Sequence, residues 1–589
     1  MSYPVSTGAS VHSALPVVLQ NNGQTASPTS DSEQNSEKAA SLASVTHKES
    51  SREKGDLVEP EDDPAPYKFA DFFRRRRSAK ARYEPDAIAT VRAAFDDDAL
   101  EPQYRPPTVW ENHAAYDPDF RWTYREQDEV TRILDKRVMV FAMLFFAVLN
   151  IDRNNLAAAN SDNILKDLGL TTNDFNNATS LFRGMFLLAE LPGQILSKRF
   201  GPDRFIPCQM AVWGILTIAQ MGLSGKHSYY ACRALLGLAQ GSFIPDLLLY
   251  LSYFYTKKQL PIRLALFWVA MNGANGLAAV VSAGILEMRG VAGLAGWRWL
   301  FFWEGLLSIA LAAVAFVVFV PSATSAKWLN DRQTKIVVNR VLRDDPGKHQ
   351  MHNRAPLTVK HFIENVTNWR FYPFIVIGIL FAIPQSPPQT YLTLSLRSFG
   401  FSRIKTQALS SVQYWVAIPL GIAIVALSDT VRERALVALI QDLWILPLIA
   451  AILGLGKRVT AWKYFGLATL IGGAPYAHPI QTAWVSASSG NVSERTIQAS
   501  LYNMAVQAGS IIASQVYRAD DKPLYHRGNS VLVAICAFNI VFYIATRFFY
   551  RAMNRSRDRK WNAMSSEEKA RYLAENPPSN RRLDFRFEY

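Results

Sequence analysis

Apolar stretches of about 18 to 25 residues recur along this chain from about Val138 onward. An α-helix needs about 20 apolar residues to cross a hydrocarbon core about 30 Å thick, and the core of a water-soluble domain does not repeat such runs. Charged borders delimit six stretches, a polar segment and six more. We number them spans 1 to 12, with predicted boundaries 138–151, 176–196, 205–223, 228–252, 263–286, 299–321, 371–393, 406–428, 433–455, 461–486, 496–517 and 529–549. The sequence therefore predicts an all-α integral membrane protein with about 12 transmembrane helices in two six-helix halves.

Polar segments flank and separate the two halves. Residues 1 to about 65 are rich in Ser, Asn, Gln, Glu and Asp, so they bury too little apolar surface to offset the entropy lost on folding. The predicted parts are a disordered or cytosolic N-terminal region, an N-terminal half, a cytosolic central loop, a C-terminal half and a cytosolic tail, at 1–130, 131–322, 323–369, 370–550 and 551–589.

Basic residues predict the orientation. Lys and Arg in short loops favour the cytosolic side, and such residues follow spans 2 and 4. Both termini are then cytosolic, and we expect the plasma membrane as the location, although Lys457, Arg458, Arg518 and Lys522 fall on the outer side. The net charge of +14 would suggest nucleic acid in a soluble protein, but here much of it borders the spans or lies in the tails. No nucleic-acid partner is expected.

Charged side chains inside a span are costly, so they usually face the bundle interior and serve function or pair with each other. Arg183 and Glu190 share one face of span 2, two helical turns apart. A guanidinium stays protonated and binds a carboxylate or sulfonate through two parallel hydrogen bonds, which predicts Arg183 as an anion anchor. The alternative is an internal ion pair. Glu190 or Asp246 is the predicted carrier of a coupling proton.

Proline-rich breaks in two spans indicate further binding groups. FAIPQSPPQTYL should interrupt span 7 beside Gln385 and Gln389, and a similar Gly and Pro cluster interrupts span 10 near His478. A bent packing helix and a hydrogen-bonded structural histidine are the alternatives. Other polar side chains that hydrocarbon cannot satisfy are Asn272, Asn275, Asn503 and Gln507. They either bind substrate or join helices.

Several stretches resemble the signature motifs of one family. They are NIDRNNLAAAN in span 1, ELPGQILSKRFGPDR after span 2, GWRWLFFWEG in span 6, NRVLRDDP in the central loop and YNMAVQAGSIIASQVYRADDKPLYHRGN from span 11. Over about 120–550 the chain resembles a major facilitator superfamily transporter, in particular the fungal anion:cation symporters that include allantoate permease. The resemblance implies a proton-coupling role for Asp152 and a conformational-gating role for Lys198, Arg199, Gly201 and Arg204.

The sequence of span 4 indicates which branch of this family the chain resembles. Gln240 stands where many relatives have an acidic residue, so a carboxylate at that position cannot be the proton site. The stretch GLAQGSFIPDLLLYLSYFYTKKQLPIRLALFW is similar to the branch that imports sulfite, thiosulfate, sulfonates or sulfate esters. Other relatives carry allantoate, ureidosuccinate, nicotinate, pantothenate or biotin.

The predicted function is proton-coupled import of a small organic or sulfur-containing anion by alternating access. We expect the protein to act as a monomer in the lipid bilayer, without a cofactor or a metal ion. No phosphate-binding Gly-Lys-Ser loop supports ATP-driven pumping, and no catalytic constellation supports an enzyme. The alternatives are a nutrient sensor with a transporter fold, whose tails hold signalling partners, and a permease for a carboxylate such as allantoate, nicotinate or pantothenate.

Overall fold

A computed structural model describes residues 57–59, 84–96, 104–108, 110–256, 259–344, 359–431, 433–490, 492–522, 524–576 and 579–589. Within these residues every predicted span is a helix or a pair of helices, which confirms the predicted all-α fold. The helices of the spans are, in order, Tyr124–Leu134 with Val140–Ser161, Thr172–Phe200, Pro202–Ala219, Lys226–Gln240 with Phe243–Ser252, Leu260–Leu286, Gly296–Val318, Tyr372–Leu380 with Ser386–Ser398, Arg403–Val431, Ala435–Ala438 with Ile440–Leu455, Ala461–Gly472 with His478–Ala487, Val492–Ser514 and His526–Asn562. The helices between or after the spans include Ile164–Asp167, Asp331–Asp344, Val359–Val366 and Ser566–Glu575.

Three spans are broken near their middle. Span 4 is interrupted at Gly241 and Ser242, span 7 between 381 and 385, and span 10 between 473 and 477. The last two breaks coincide with the proline clusters, because proline lacks the backbone N–H that continues a helix and its ring clashes with the preceding turn. The predicted interruptions of spans 7 and 10 are therefore present.

Seven helical segments within the described residues are long and apolar enough to cross a membrane by themselves. They correspond to spans 3, 4, 5, 6, 8, 9 and 12. Spans 7 and 10 are divided by their breaks, whereas spans 1, 2 and 11 carry charged or amide side chains. The polar spans need partners for those groups, so they belong in the interior of the bundle.

Small residues allow close helix packing inside each half. A Cβ atom on Gly305 of span 6 would lie 2.7 Å from the carbonyl oxygen of Gly214 in span 3. A Cβ atom on Gly241 would lie 2.5 Å from the carbonyl oxygen of Phe186 in span 2, and Gly237 meets the Phe182 carbonyl still more closely. Gly237 and Gly241 therefore form the small-residue surface on which spans 2 and 4 approach each other.

The two halves meet through matching helices. Span 5 packs against span 8, span 2 against span 11, and span 1 against span 7. Each pair joins a helix of the N-terminal half to a helix of the C-terminal half. The span numbers within the three pairs differ by three, nine and six, respectively. This is the arrangement of two related six-helix units around a common interface.

Parts of the N-terminal region 1–130 are folded where the structure describes them, and its cytosolic location stays a prediction. Residues 84–96 and 104–130 include the buried side chains of Phe95 and Trp122, which pack with the helix Asp331–Asp344 of the central loop. Arg343 of that helix donates to Asp96 at 2.6 and 2.9 Å. We call residues 84–123 the N-terminal arm. The boundary at 130 falls inside the helix Tyr124–Leu134, and residues 1–56 and 60–83 lie outside the described residues.

The C-terminal tail also packs on the bundle. Span 12 continues past the predicted boundary at 550 as far as Asn562. The Asn580 backbone N–H donates to Glu494 at the start of span 11, and Trp484 of span 10 donates to the Glu588 carbonyl. We call the end of the bundle that bears the arm, the central loop and this tail the tail end, and the other end the far end.

Candidate functional site

Three arginines surround span 2 near the middle of the bundle. The guanidinium of Arg153 in span 1 lies 4.4 Å from the ring centre of Phe186, and that of Arg233 in span 4 lies 4.9 Å from the ring centre of Phe182. These two phenylalanines are four residues apart, so they present one face of span 2 to both guanidiniums. Arg183 lies on the same span between them. The tertiary structure therefore brings three guanidiniums together around one segment of span 2.

Arg183 is the arginine that reaches across the interface. It is partly exposed and lies near Tyr476 of span 10, and among the described residues its buried Nε atom has no hydrogen-bond partner. Arg153 is held by a 3.4 Å hydrogen bond to Gln240, while its Nη2 atom has no partner within the part of the chain that the structure describes. A buried guanidinium with free N–H groups is an unsatisfied donor for an oxyanion.

Glu190 interacts with Arg153 of span 1 rather than with Arg183 on its own helix. Its side chain is buried, and its charge interacts with Arg153 of span 1. Within the described residues no ion pair joins Arg183 to Glu190, because these side chains interact with groups on different neighbouring helices. Arg183 and Glu190 therefore interact with different neighbours here, and the anion-anchor role of Arg183 stays a prediction.

Asp152 lies deeper, inside the N-terminal half. It is fully buried, and the Ser308 hydroxyl of span 6 donates to its Oδ2 atom at 2.7 Å. Its charge interacts with Arg233, and Trp213 of span 3 is a second polar neighbour. Glu304, one turn before Ser308, is also buried and interacts with Asp152. The structure thus places the Asp152 carboxylate near both Arg233 and a second buried carboxylate, Glu304.

Asp246 of span 4 lies far from the three arginines. It is buried in the second segment, Phe243–Ser252, which packs against spans 2 and 3. It follows Arg233 by more than three helical turns, a separation on the order of 20 Å along the helix axis. Asp246 and Arg183 therefore lie at different depths.

The two glutamines of span 7 join it to span 10. Gln385 and Gln389 both donate to the carbonyl oxygen of Gly472, at 2.9 and 3.4 Å. Gln441 of span 9 completes the connection: it donates to the Phe381 carbonyl at 3.0 Å and accepts from the Ala477 N–H at 2.8 Å. Backbone groups freed by both breaks are satisfied by amide side chains. This geometry favours the packing alternative for Gln385 and Gln389.

His478 is enclosed by aromatic rings. Its ring centre lies 5.0 Å from that of Trp268, 5.5 Å from that of Phe381 and 5.7 Å from that of Tyr502, and its Nδ1 atom is 3.4 Å from the Tyr502 hydroxyl. Trp268 belongs to span 5, so this contact crosses the interface between the halves. The environment matches the hydrogen-bonded structural histidine.

The remaining amide side chains are dispersed. Asn272 donates to the Trp268 carbonyl of its own helix at 3.0 Å, whereas Asn275 accepts from Asn154 of span 1 at 3.2 Å. Asn503 and Gln507 are partly buried on span 11 and form no hydrogen bonds within the described residues. Asn272 is the one of these four that lines a cleft with Tyr476.

Polar contacts close the interface at the far end. Asn176 of span 2 donates to the Tyr517 carbonyl at 2.6 Å, and Ser180 lies 2.7 Å from Ser514 through their hydroxyls. Gln407 of span 8 donates to Ser161 of span 1 at 2.7 Å. These bonds join the outer turns of spans 1, 2, 8 and 11. The arginine site therefore lies behind a closed far end.

Sequence comparison identifies the fold. The family model described as Major Facilitator Superfamily matches residues 135–514, which is more than half of the chain. This chain belongs to the Major Facilitator Superfamily. It is accordingly a multi-pass membrane transporter and not an enzyme.

The chain is also similar to named transporters and to solved structures of this superfamily. The Saccharomyces cerevisiae protein named uncharacterized transporter YIL166C is 40% identical over 489 residues, which cover 81% of this chain and 90% of that protein. The MFS-type transporter efuF of Hormonema carpetanum is 25% identical over 73% of this chain and 87% of its own length. The crystal structure of a D-xylose–proton symporter superposes with a TM-score of 0.52 at 14% identity, over 69% of this chain and 96% of that one. An inward-facing bacterial homologue of the lysosomal transporter Spinster gives 0.53 at 14% identity, over 70% and 97%. At that identity the two structures show the major facilitator fold alone.

The turn after span 2 of this major facilitator protein contains the predicted gating residues. Gly201 has φ +84°, which non-glycine residues rarely adopt, and a Cβ atom there would lie 2.5 Å from an Asp203 carboxylate oxygen. Arg199 and Arg204 are exposed beside it, and Lys198 lies on the last turn of the span 2 helix with its side chain outside the described part. The turn is at the tail end, and its gating role stays a prediction.

Sequence reasoning missed several residues of the site in this major facilitator protein. Arg153 follows Asp152 directly in the motif NIDRNNLAAAN, and no binding role is predicted for it, because the apolar stretch of span 1 ends before it. Tyr476 and Trp268 were not singled out, since aromatic residues are common in spans. A signal for Arg153 was available: span 1 is too short to cross a bilayer unless it includes this arginine.

Proposed function

We propose that this transporter imports a small organic or sulfur-containing anion together with a proton, and that it is a plasma-membrane member of the anion:cation symporter family. The observation that carries the proposal is the position of Arg183 beside the interface between the halves. Arg183 is on span 2 near Tyr476 of span 10, and within the described residues its Nε atom has no hydrogen-bond partner. A buried charge is stable only with a counter-charge, so an anionic solute is the ligand that completes the site.

Glu190 offers a physical route to proton coupling. When it is ionised it competes with an incoming anion for Arg153, and when it is protonated that guanidinium is free. Proton binding and anion binding then favour each other, which is the thermodynamic requirement for symport. Asp152 and Asp246 remain candidate proton carriers, and Asp152 is the better supported of the two because it is linked to Arg233 beside the site.

Alternating access supplies the transport step. The polar contacts at the far end separate as the halves rock, and the tail end then closes. With both termini in the cytosol, the closed far end faces away from the cytosol, and the tails lie on the same side as the released solute. We propose a monomer as the functional unit, because each half contributes to one site inside a single chain.

Uptake by proteoliposomes tests the proposal. Purified protein is reconstituted, and uptake of a radiolabelled sulfonate, thiosulfate, allantoate and nicotinate is measured with and without an inward proton gradient. We expect gradient-stimulated uptake of at least one sulfur anion and its loss in Arg183→Ala. The matched control is Arg397→Ala, because Arg397 donates at 2.7 Å to Phe401 of its own half at the far end.

The outcomes separate the candidate functions. Uptake of a carboxylate alone would favour the allantoate, nicotinate or pantothenate type of permease. No uptake of any anion by folded, correctly inserted protein would refute the symporter and favour the nutrient sensor. In that case, deletion of a tail should remove a cellular response to the nutrient.

A further inference from the structure

Span 12 continues at the tail end as one helix past the level where the membrane ends. The helix extends from His526 to Asn562, whereas the apolar stretch of the span is predicted to end at 549. Trp369, which precedes span 7, packs against Phe549 with ring centres 5.8 Å apart. Aromatic rings are typical of the boundary between lipid and water, so these two mark it here. The part of the helix beyond Phe549 is about 20 Å long at about 1.5 Å per residue.

One face of this helix holds the C-terminal tail. Its buried residues recur at helical spacing and are Tyr543, Thr546, Tyr550, Asn554 and Arg557. Asn554 exchanges two hydrogen bonds with the Phe587 backbone, at 2.8 and 3.0 Å. Arg557 donates to the Asn580 carbonyl at 2.8 Å. The tail therefore occupies the polar groups of this face beyond the membrane.

The opposite face changes from apolar to cationic where the helix leaves the membrane. The exposed or partly exposed side chains along it are, in order, Val541, Ile544, Phe548, Arg551, Arg555 and Arg559. Steps of three or four residues keep them on one side of the helix. The apolar members face the lipid, so the arginines continue the same surface into the headgroup layer. We call Arg551, Arg555 and Arg559 the basic stripe.

The basic stripe carries uncompensated positive charge. Its arginines form no hydrogen bond or ion pair with any residue that the structure describes. The other charged groups nearby are engaged: Arg547 binds Glu433 at 2.6 Å, and Asp558 binds Arg586 at 2.7 Å. The tail therefore supplies no counter-charge to the stripe.

The position of the stripe along the helix matches the headgroup layer. Arg551 and Arg555 follow Phe548 by about 4.5 and 10.5 Å along the helix axis. The headgroup layer on each side of a bilayer is about 5–8 Å thick, and a long arginine side chain can bend back toward it. At least two guanidiniums of the stripe can therefore reach lipid phosphates.

We propose that the basic stripe binds the headgroups of anionic phospholipids in the leaflet at the tail end. A guanidinium forms paired hydrogen bonds with phosphate or carboxylate oxygens, and cations directly beyond a transmembrane helix are attracted to an anionic membrane surface. The acyl chains of the same lipid would contact Ile544 and Phe548. The lipid would hold one face of the helix while the tail holds the other. Lipid binding of this kind is independent of the transported substrate and of proton coupling.

Site-specific photo-cross-linking tests the proposal. Ala552 is exposed beside Arg551, so a benzoylphenylalanine introduced there reports the lipid at the stripe. The purified full chain is placed in bilayer nanodiscs of phosphatidylcholine and phosphatidylserine with identical acyl chains, and the yield with each radiolabelled lipid is measured. We expect a yield at least about fivefold higher with phosphatidylserine. The ratio should fall when the salt concentration is raised from about 0.05 to about 0.5 M, because salt screens exposed charges.

Two double variants separate charge from fold. Arg551→Gln with Arg555→Gln should bring the ratio of yields close to one, whereas Arg551→Lys with Arg555→Lys should largely keep it. The yield with phosphatidylcholine is the internal reference, because a displaced helix would lose both lipids.

The matched control removes the same charge farther from the membrane. It is Lys569→Gln with Arg571→Gln, on the tail helix Ser566–Glu575. Tyr572 of that helix packs against Trp561, with ring centres 6.1 Å apart. Trp561 lies about 20 Å beyond Phe548 along the helix axis, whereas the Debye length is about 10 Å at 0.1 M salt. The control should therefore keep the preference of the wild type.

Three results would overturn the proposal. They are equal yields of the two lipids without further substitutions, a ratio that is unchanged in the glutamine variant or at high salt, and an equal fall of the ratio in the control. The last result would show attraction by the overall charge of the protein rather than binding at the stripe. If the glutamine variant does not fold, the salt dependence and the lysine variant still decide, since both keep the stripe charged.

Discussion

The Nη1 atom of Arg403 in the C-terminal half lies 2.6 Å from the Oδ1 atom of Asp162 in the N-terminal half. Asp162 is fully buried at the end of span 1, where it also accepts from Arg289 at 3.0 Å and from the Trp297 backbone N–H at 2.9 Å. The carboxylate is thus held within its own half by two donors and joined to the other half by one. Opening of the far end has to break that last bond.

Arg403→Ala should shift the protein toward a state that is open at the far end. Arg403 is partly exposed, so we expect the loss of about 1–2 kcal/mol, which changes the ratio of closed to open states about five- to thirty-fold. Spin labels on one far-end loop of each half would report this as a longer distance population in electron spin resonance. Arg397→Ala is the control, since its hydrogen bond stays within the C-terminal half. Identical distance distributions for Arg403→Ala and the wild type would show that the bond between Arg403 and Asp162 does not keep the far end closed.

Gly237→Ala should destabilise the packing of span 4 on span 2. Its new Cβ atom would collide with the Phe182 carbonyl oxygen, a backbone atom that can move only with its helix. Overpacking of this kind costs about 1–3 kcal/mol, and we expect a Tm several degrees lower in detergent. Gly273→Ala in span 5 is the control, because a Cβ atom there meets nothing within 4 Å. Equal melting temperatures of the two variants would show that spans 2 and 4 are less closely packed.

Glu190→Gln should separate transport from proton coupling. The amide has the shape of a protonated carboxyl group, so it leaves Arg153 permanently free for the anion. We expect exchange of labelled for unlabelled anion across proteoliposomes to continue, while accumulation driven by a proton gradient falls at least about tenfold. Glu567→Gln on the exposed C-terminal tail is the control. Gradient-driven accumulation by Glu190→Gln at the wild-type level would exclude Glu190 as the coupling group.

Asp96→Asn should loosen the N-terminal arm, and the effect should depend on pH. Burial by itself would raise the pKa of Asp96, but the hydrogen bond and the charge of Arg343 hold it below its ordinary value. The pKa is lower in the docked arm than in the free arm, so the stabilisation is present above about pH 4 and is lost as the pH falls through the docked value. At pH 7 we expect a loss of about 1–2 kcal/mol, or five- to thirty-fold faster hydrogen exchange in residues 110–123.

The measurement compares the variant with the wild type at each pH, which removes the intrinsic pH dependence of exchange. The difference in exchange should be larger at pH 7 than at pH 3, because protonation of Asp96 begins to remove the stabilisation below about pH 4. Asp86→Asn is the control, because Asp86 and its partner Arg125 are both exposed and such surface pairs contribute little. A difference that persists unchanged to pH 3 would show that the charge of Asp96 does not hold the arm.

Local properties of the sequence determined much of this protein. The length of the apolar runs specified the spans, because the thickness of the bilayer specifies how many residues a helix needs. The prolines of spans 7 and 10 specified the breaks, since a missing N–H acts within one helical turn. Arg183 was identifiable because an arginine inside an apolar run is conspicuous on its own.

Tertiary structure alone decided which side chains meet. Glu190 interacts with Arg153 of span 1 rather than with Arg183 on its own face, and Gln385 serves the Gly472 carbonyl of span 10 rather than an open cavity. The N-terminal arm folds because Asp96 meets Arg343, which lies 247 positions away. Spacing along a helix fixes only a face, whereas the rotation of each helix is set by contacts with helices that are distant in the sequence. That is why the elements of this transporter could be predicted and the partners within its site could not.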